Sequence, residues 1–450
     1  MKTVLAAAAL TLVACSSSSG GSQCAGQSCV TSADCCPAYS CVNYFCQSGA
    51  DGGGTVGSSS SSSGGQGSTA GEASTSSGGA SSTGAATTGR ASSSTGAAST
   101  TGAGASSSGG GSTTGATTTT GGGSSSGGST GGTCTSCPSG YACGTANGIA
   151  VCRNSQTGIP LFRHVFVIMM ENTSASAITA SATPYLSGLA TQWATSSNYS
   201  GATDPSLPNY IAITSGDTQS ITCDCNPNGA SACQSFCING LTNNCNCGGM
   251  TVTHLGDQID KAGLTWKNYG ESMGTDCNPN GASPYAPKHV PFLYYQDVLS
   301  NSSTTYCGDH VVDFGNHFAA DLAGTTPTFS IIAPNLNDDM HGTGALQTSQ
   351  DIANGDSWLG QQVPPILSSA AFSSSGIVFI AWDEGDGSIG LTLNGIPFYV
   401  LSPLAKKGGY VSSVKYDHYS LLATIEDGLG LARLGKAQGA APLADFFPAQ

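Results

Sequence analysis

The chain has 450 residues, of which 64 are Gly and only 8% are charged; 12 Lys and Arg face 26 Asp and Glu, a net charge of −14. That length argues against one compact domain, and glycine without a triplet period argues against a collagen-like fibre. So few cations cannot line a phosphate-tracking groove, which excludes nucleic acid as the main ligand.

The first segment reads as a targeting signal. Lys2 precedes an apolar run from Val4 to Ala14, too short to span a bilayer and right for a signal-peptide core. It ends Leu12-Val13-Ala14-Cys15, which resembles the bacterial lipoprotein signal. The resemblance implies removal of residues 1–14, acylation of Cys15, and a membrane partner reached through that lipid. Ser16 stands where a retention aspartate would be, so the expected location is the bacterial outer membrane, with surface display as a further expectation.

Cysteine usage agrees with export. Apart from Cys15 there are 18 cysteines, in groups of six (24–46), four (134–152) and eight (223–307). Even groups suit disulfides closed within each segment, and metal binding by pairs such as Cys134/Cys137 is the competing reading. Residues 15–50 carry the spacing of a knottin-like module, whose partner the sequence leaves open, cell-wall or extracellular polysaccharide being one candidate. From 51 to 132 only Asp51, Val56, Gln66, Glu72 and Arg90 are not Gly, Ser, Thr or Ala. Such a stretch has almost no apolar area to bury and is expected to be a disordered tether, with a span of roughly 50 Å. Residues 133–157 read as a second small cysteine-rich module, and 158–450 as the domain with a real core.

That last part reads as α/β. The runs His164–Met170, Phe329–Ala333, Ile377–Trp382 and Pro397–Leu401 are apolar without alternation, as strands buried on both faces of a mostly parallel sheet would be. Helical patterns lie between them, including Pro184–Trp193, Asn209–Thr214, Leu255–Ala262 and Ser420–Leu429. Three strands end in polar groups: Glu171-Asn172, Asp338-Asp339-Met340-His341 and Asp383-Glu384. In open α/β sheets ligands sit at the carboxyl ends of strands, and such an oxygen-rich rim suits calcium, magnesium, manganese or zinc.

Four motifs occur in order: His164-Val-Phe-Val-Ile-Met-Met-Glu171-Asn172, Pro205-Ser206-Leu-Pro-Asn209-Tyr210, Trp382-Asp383-Glu384-Gly385 and Tyr416-Asp417-His418-Tyr-Ser420. From about Leu161 to Leu431 the chain resembles the phosphoesterase family of bacterial and fungal acid phosphatases and bacterial phospholipases C. Glu171-Asn172-Thr173-Ser174 is closer to the acid phosphatase branch. The resemblance implies an alkaline-phosphatase-like fold, the mostly parallel sheet flanked by helices. It also implies Ser206 as a nucleophile forming a phosphoserine, and Glu171, Asn172, Asp383 and Glu384 as ligands of a divalent metal cation. His341 and His418 become candidates for phosphoryl binding or leaving-group protonation. Asn209 and His289 are substrate-binding candidates, and Asp339 a metal or phosphate candidate. Ser206 also lies near a helix N-terminus, where backbone amides and the dipole favour phosphate.

Two features depart from the family pattern. Asp204 stands where relatives usually carry histidine, and residues 223–247 hold six cysteines not associated with the family, read as a disulfide-stapled insertion near the rim. The whole −14 arises from Arg163 onward, where nine Lys and Arg meet 23 Asp and Glu (9 − 23 = −14). Such a surface disfavours polyanionic substrates. The expected function is an exported, metal-assisted phosphomonoesterase of acid phosphatase type. The alternatives are a phospholipase C-type phosphodiesterase, or a surface-binding lipoprotein with an inert hydrolase domain.

Overall fold

The computed structural model describes residues 39–42, 45–48, 134, 136–227, 248–301, 303, 305–344, 347–385 and 395–449. Cys15 and the signal run, the cysteine pairing of the knottin-like module, the 51–132 tether and the middle of the 223–247 segment lie outside the described residues. Strands β1 (Tyr39–Val42) and β2 (Phe45–Ser48) form an antiparallel hairpin.

The second cysteine-rich segment forms the antiparallel hairpin of β3 (Tyr141–Ala146) and β4 (Ile149–Asn154). Disulfides Cys134–Cys143 and Cys137–Cys152 close it within its own segment. The structure corrects one expectation here: the hairpin does not stand apart from the domain after 157. Arg153 is 3% exposed and donates to the Pro448 carbonyl. Asn147 donates to the carbonyls of Pro403 and Ala405, and Tyr141 to that of Asp427. Buried Ala146 and Val151 join the main core.

The part after this hairpin is built on β5 (His164–Met170), β6 (Ala194–Ser196), β7 (Tyr199–Ser200), β8 (Trp266–Gly270), β9 (Val311–Asp313), β10 (Phe329–Ala333), β11 (Gly376–Trp382), β12 (Phe398–Leu401), β13 (Val411–Ser412) and β14 (Tyr416–Asp417). Eight of these form one sheet in the order β13-β6-β12-β11-β5-β10-β8-β9. The five strands from β11 to β9 are mutually parallel, and β12 runs antiparallel to both its neighbours. Every residue of β10 and β11, and all of β5 after His164, is buried, which is why their sequences show no alternation. The fold is therefore α/β, a mostly parallel sheet covered by helices.

The helices are α1 (Pro184–Gln192), α2 (Ser206–Ser215), α3 (Leu255–Lys261), α4 (Gln296–Leu299), α5 (Tyr306–His310), α6 (Phe314–Ala323), α7 (Ser349–Ser368), α8 (Ala370–Ser373) and α9 (His418–Leu429). Their starts follow local chemistry: Thr348 and Asp351 form a capping box on α7, and Asp356 accepts from the Tyr185 and Leu186 amides at the head of α1. Helix α2 packs against α9 and starts at Ser206, earlier than its apolar pattern suggests. Pro208 is tolerated there because a first-turn amide has no intrahelical partner to lose.

Candidate active site

Strand register decides which side chains meet. Met170 of β5 pairs with Trp382 of β11, so the residues that follow, Glu171 and Asp383, emerge side by side. Asp339 arrives from the loop after β10, its carbonyl accepting from the Glu171 amide at 2.8 Å. Asn172 turns the chain with φ of 38°, a left-handed conformation that Asn tolerates better than most residues. The turn sends its amide to Asp383 Oδ1 at 3.0 Å and its Nδ2 to Glu384 Oε1 at 3.2 Å. Asp383 Oδ1 also accepts from the Glu384 amide at 2.7 Å.

Ser206 is the first residue of α2 and is 2% exposed. Its hydroxyl donates to Glu171 Oε2 at 2.9 Å and accepts from Lys288 Nζ at 3.4 Å. One turn along α2, the Tyr210 hydroxyl donates to Glu171 Oε1 at 2.5 Å. Lys288 pairs with Asp224 at 2.5 Å, yet keeps 23% of its side chain exposed, so an incoming anion can still reach it. His289 stacks on the Tyr210 ring, with Nε2 3.2 Å from Glu171 Oε1 and Nδ1 3.8 Å from Asp339 Oδ2. His341 donates Nδ1–H to the Gly342 carbonyl at 2.8 Å, a tautomer assigned from that contact, which leaves Nε2 as its acceptor.

Burial alone would raise the Glu171 carboxyl, but the charges of His289, Lys288 and His341 bring it down to about 2. Burial also opposes the Lys288 ammonium, and Asp224 and Glu171 more than compensate, holding its pKa above the ordinary value. Asp339, Asp383 and Glu384 go the other way. Burial first, then neighbouring carboxylates, pushes all three well above the usual carboxylate range. His341 is held below its ordinary value by burial and then by Lys288.

The rim offers a divalent cation hard, unsatisfied oxygen donors. Among the described residues, Asn172 Oδ1, Asp383 Oδ2, Glu384 Oε2 and Asp339 Oδ2 are buried with no hydrogen-bond partner. Buried oxygens of this kind are costly unless something binds them, and they are hard donors of the type that divalent ions take. Positive charge there would also return the raised carboxyls to their ionised form. The competing sulfur site is not formed: Cys134, Cys137 and Cys152 lie close together, but each is disulfide-bonded. His254, Asp257 and Asp297 also cluster, and there His254 caps α3, its Nδ1 accepting from the Asp257 amide.

The structure thus brings Glu171, Asn172, Ser206, His289, Asp339, His341, Asp383 and Glu384 to one rim. Two expected site residues are placed behind it. His418, expected to bind phosphate or give a proton, is fully buried. Its Nε2 bonds the Asp383 carbonyl at 2.8 Å, and its Nδ1 the Tyr199 hydroxyl at 3.0 Å. Burial lowers its pKa to about 4. Both nitrogens are committed, so it positions the Asp383 backbone instead. Asn209, expected to touch substrate, accepts from the Ala202 and Thr203 amides and donates to the Thr203 and Pro205 carbonyls. It clamps the loop before Ser206. Gly201 in that loop passes so close that a Cβ would lie 2.6 Å from the Asp383 carbonyl oxygen. Asp204 does reach the rim, its carboxyl raised by burial and by Asp224.

The motif reading did not assign Lys288, Tyr210 or Asp224. Lys288 carried a signal, being a cation next to the candidate His289 in a cation-poor chain. Asp224 carried none, because its role depends on a segment 17 residues beyond Leu207 folding back onto α2.

Residues 176–432 match the family model described as Phosphoesterase family. A phosphatidylinositol-3-phosphatase of Mycobacterium tuberculosis is 29% identical over 65% of this chain and 85% of its own length. A probable acid phosphatase of Kluyveromyces lactis is 27% identical over 62% of this chain and 61% of its own length. A solved structure from Vibrio parahaemolyticus, a protein in the alkaline phosphatase superfamily, superposes with a TM-score of 0.41 at 12% identity, covering 67% of this chain and 73% of that one. The match takes in more than half of the chain, including Ser206, Asp339, Asp383 and Glu384, with Glu171 and Asn172 just ahead of it; the chain belongs to the Phosphoesterase family and is a hydrolase of phosphoric esters.

Proposed function

We propose that the protein is an exported, lipid-anchored, metal-assisted phosphomonoesterase of acid phosphatase type, working through a phosphoserine at Ser206. The observation that carries the reading is the Ser206 hydroxyl held between Glu171 Oε2 and Lys288 Nζ at the head of α2. Export rests on the Val4–Ala14 run and Cys15. Both curated relatives named above are phosphatases, which supports monoester chemistry.

Ser206 Oγ, oriented by its hydrogen bond to Glu171 Oε2, gives up its proton to solvent and attacks phosphorus, and the bond from phosphorus to the substrate's alkoxide breaks. Lys288 and the α2 dipole hold the phosphoryl oxygens as charge gathers on them. His341 Nε2, protonated when the phosphate dianion arrives, returns a proton to the leaving alkoxide. Water then cleaves the phosphoserine and Ser206 recovers its proton. Held by Glu171, Asn172, Asp383 and Glu384, a divalent cation (calcium, magnesium, manganese or zinc) would supply positive charge that lowers the hydroxyl pKa and offsets the phosphoryl charge. His289, with Nε2 3.2 Å from Glu171 Oε1, orients Glu171. The acidic surface favours small monoesters over polyanions.

Hydrolysis of p-nitrophenyl phosphate and p-nitrophenyl phosphorylcholine, each with and without chelator, tests the reading. The monoester should be the better substrate and should lose turnover with chelator. Preference for the diester would make the protein a phospholipase C-type phosphodiesterase, and hydrolysis of neither would leave a surface-binding protein.

A further inference from the structure

The cysteine-rich insertion was expected to be structural. Its opening residues are described, and they enter the candidate active site. Asp224 stands between Cys223 and Cys225, which are both disulfide-bonded and are 2% and 4% exposed. The Tyr294 hydroxyl donates to the Cys225 carbonyl, fixing the segment from below. From this buried mount the Asp224 carboxylate uses both oxygens. Oδ1 accepts from the Leu207 amide at 3.0 Å, and Oδ2 accepts from Lys288 Nζ at 2.5 Å.

One carboxylate therefore bridges the residue beside the nucleophile and the ammonium that touches the nucleophile's oxygen. We infer that Asp224 is a positioning residue for phosphoryl transfer, through which the disulfide-bonded segment holds Lys288 over Ser206. The inference rests on the reading of Ser206 as nucleophile. The physical need is clear from the charges around Lys288. Its ammonium also feels Glu171 and Asp383, and a lysine stem is flexible enough to follow them. Without Asp224 those carboxylates would draw the ammonium inward, away from the oxygens of an arriving phosphate. With Asp224 in place it is held at the partly exposed edge. The same bond fixes the first turn of α2, because the Leu207 amide is one of the four that the helix itself cannot satisfy.

An alternative role for this carboxylate is distinguishable. Its two donors are ones that a phosphate could also use, and the competing role is a placeholder that substrate must displace. A placeholder slows turnover; a positioning residue sustains it. The test is a double-mutant cycle of Asp224→Asn and Lys288→Met with p-nitrophenyl phosphate, alongside Ser206→Ala. Asp224→Asn keeps an oxygen for the Leu207 amide and loses the charge that holds Lys288. It should lower kcat roughly 10- to 100-fold, less than the loss of a direct oxyanion donor, with a smaller change in KM. In the Lys288→Met background the same change should cost less than about 3-fold. Asp224→Glu, which restores the charge, should recover most of the loss and serves also if Asp224→Asn fails to fold. An equal cost in both backgrounds, or turnover unchanged or raised by Asp224→Asn, would overturn the role. If Ser206→Ala keeps wild-type turnover, the nucleophile reading falls and this role with it. If Ser206→Ala is dead and the cycle is additive, only the positioning role falls.

Discussion

Glu426 shows how single residues in this domain are tuned by what surrounds them. It lies fully buried in α9, accepting from the Leu434 amide through Oε1, while Oε2 has no partner among the described residues. Burial raises its carboxyl to about 9, against the pull of the Leu434 amide and Arg433 and with a push from Asp427. A carboxyl whose folded pKa lies above its unfolded value binds more protons folded than unfolded. Its stabilisation is complete below the ordinary value of 4.5 and is lost as pH rises through about 9. The slope approaches about 1.4 kcal/mol per pH unit between those limits. Glu426→Gln should therefore flatten the fall of Tm from pH 5 to pH 9 measured by thermal unfolding. Parallel curves for the two proteins would show that Glu426 does not titrate in this way. His418 is a different case of the same physics: a polar ring buried with both nitrogens satisfied, and thereby removed from proton transfer.

At the scale of elements, the strands that carry the site were legible because they are buried on both faces. His164–Met170, Phe329–Ala333 and the run to Trp382 fall where their apolar runs predict, and their ends supply Glu171, Asp339 and Asp383. Short strands were less legible. Val311–Asp313 has only three residues, too few for any period to register. The twenty-residue α7 escapes a pattern reading because Gly355, Gly360 and the Pro364-Pro365 pair interrupt it, although its Thr348/Asp351 cap is a clear start signal. Site chemistry followed the same division. Residues at strand ends could be read from the sequence. Roles set by two hydrogen bonds to distant backbone, as for His418 and Asn209, could not, because a motif names a residue type and not the direction its nitrogens face.

For the whole molecule, the boundary of the folded domain lies before the β3–β4 hairpin. Arg153 gives three side-chain hydrogen bonds, one of them to Pro448, and Tyr141 ties the hairpin to the Asp427 carbonyl. A chain beginning at Thr133 should keep the Tm and turnover of the full-length protein. One beginning at Ser155 removes buried Ala146 and Val151 from the core and takes away the donors Arg153, Asn147 and Tyr141 from the carbonyls of Pro448, Pro403, Ala405 and Asp427. It should lose on the order of 2–4 kcal/mol, from lost apolar burial and orphaned hydrogen-bonding groups. Equal urea midpoints for the two chains would mean that the hairpin adds nothing to the domain.

The proposed chemistry centres on one hydroxyl, so the most direct measurement is made on that atom. The protein is mixed with p-nitrophenyl phosphate, quenched in acid within the first turnovers, digested and analysed by mass spectrometry, with Ser206→Ala treated in parallel. The expected result is one phosphoryl group on the peptide containing Ser206, and a fall of several orders of magnitude in turnover for Ser206→Ala with its fold intact. Near-wild-type turnover by Ser206→Ala, with no phosphopeptide from either protein, would contradict a phosphoserine mechanism and make water the direct nucleophile.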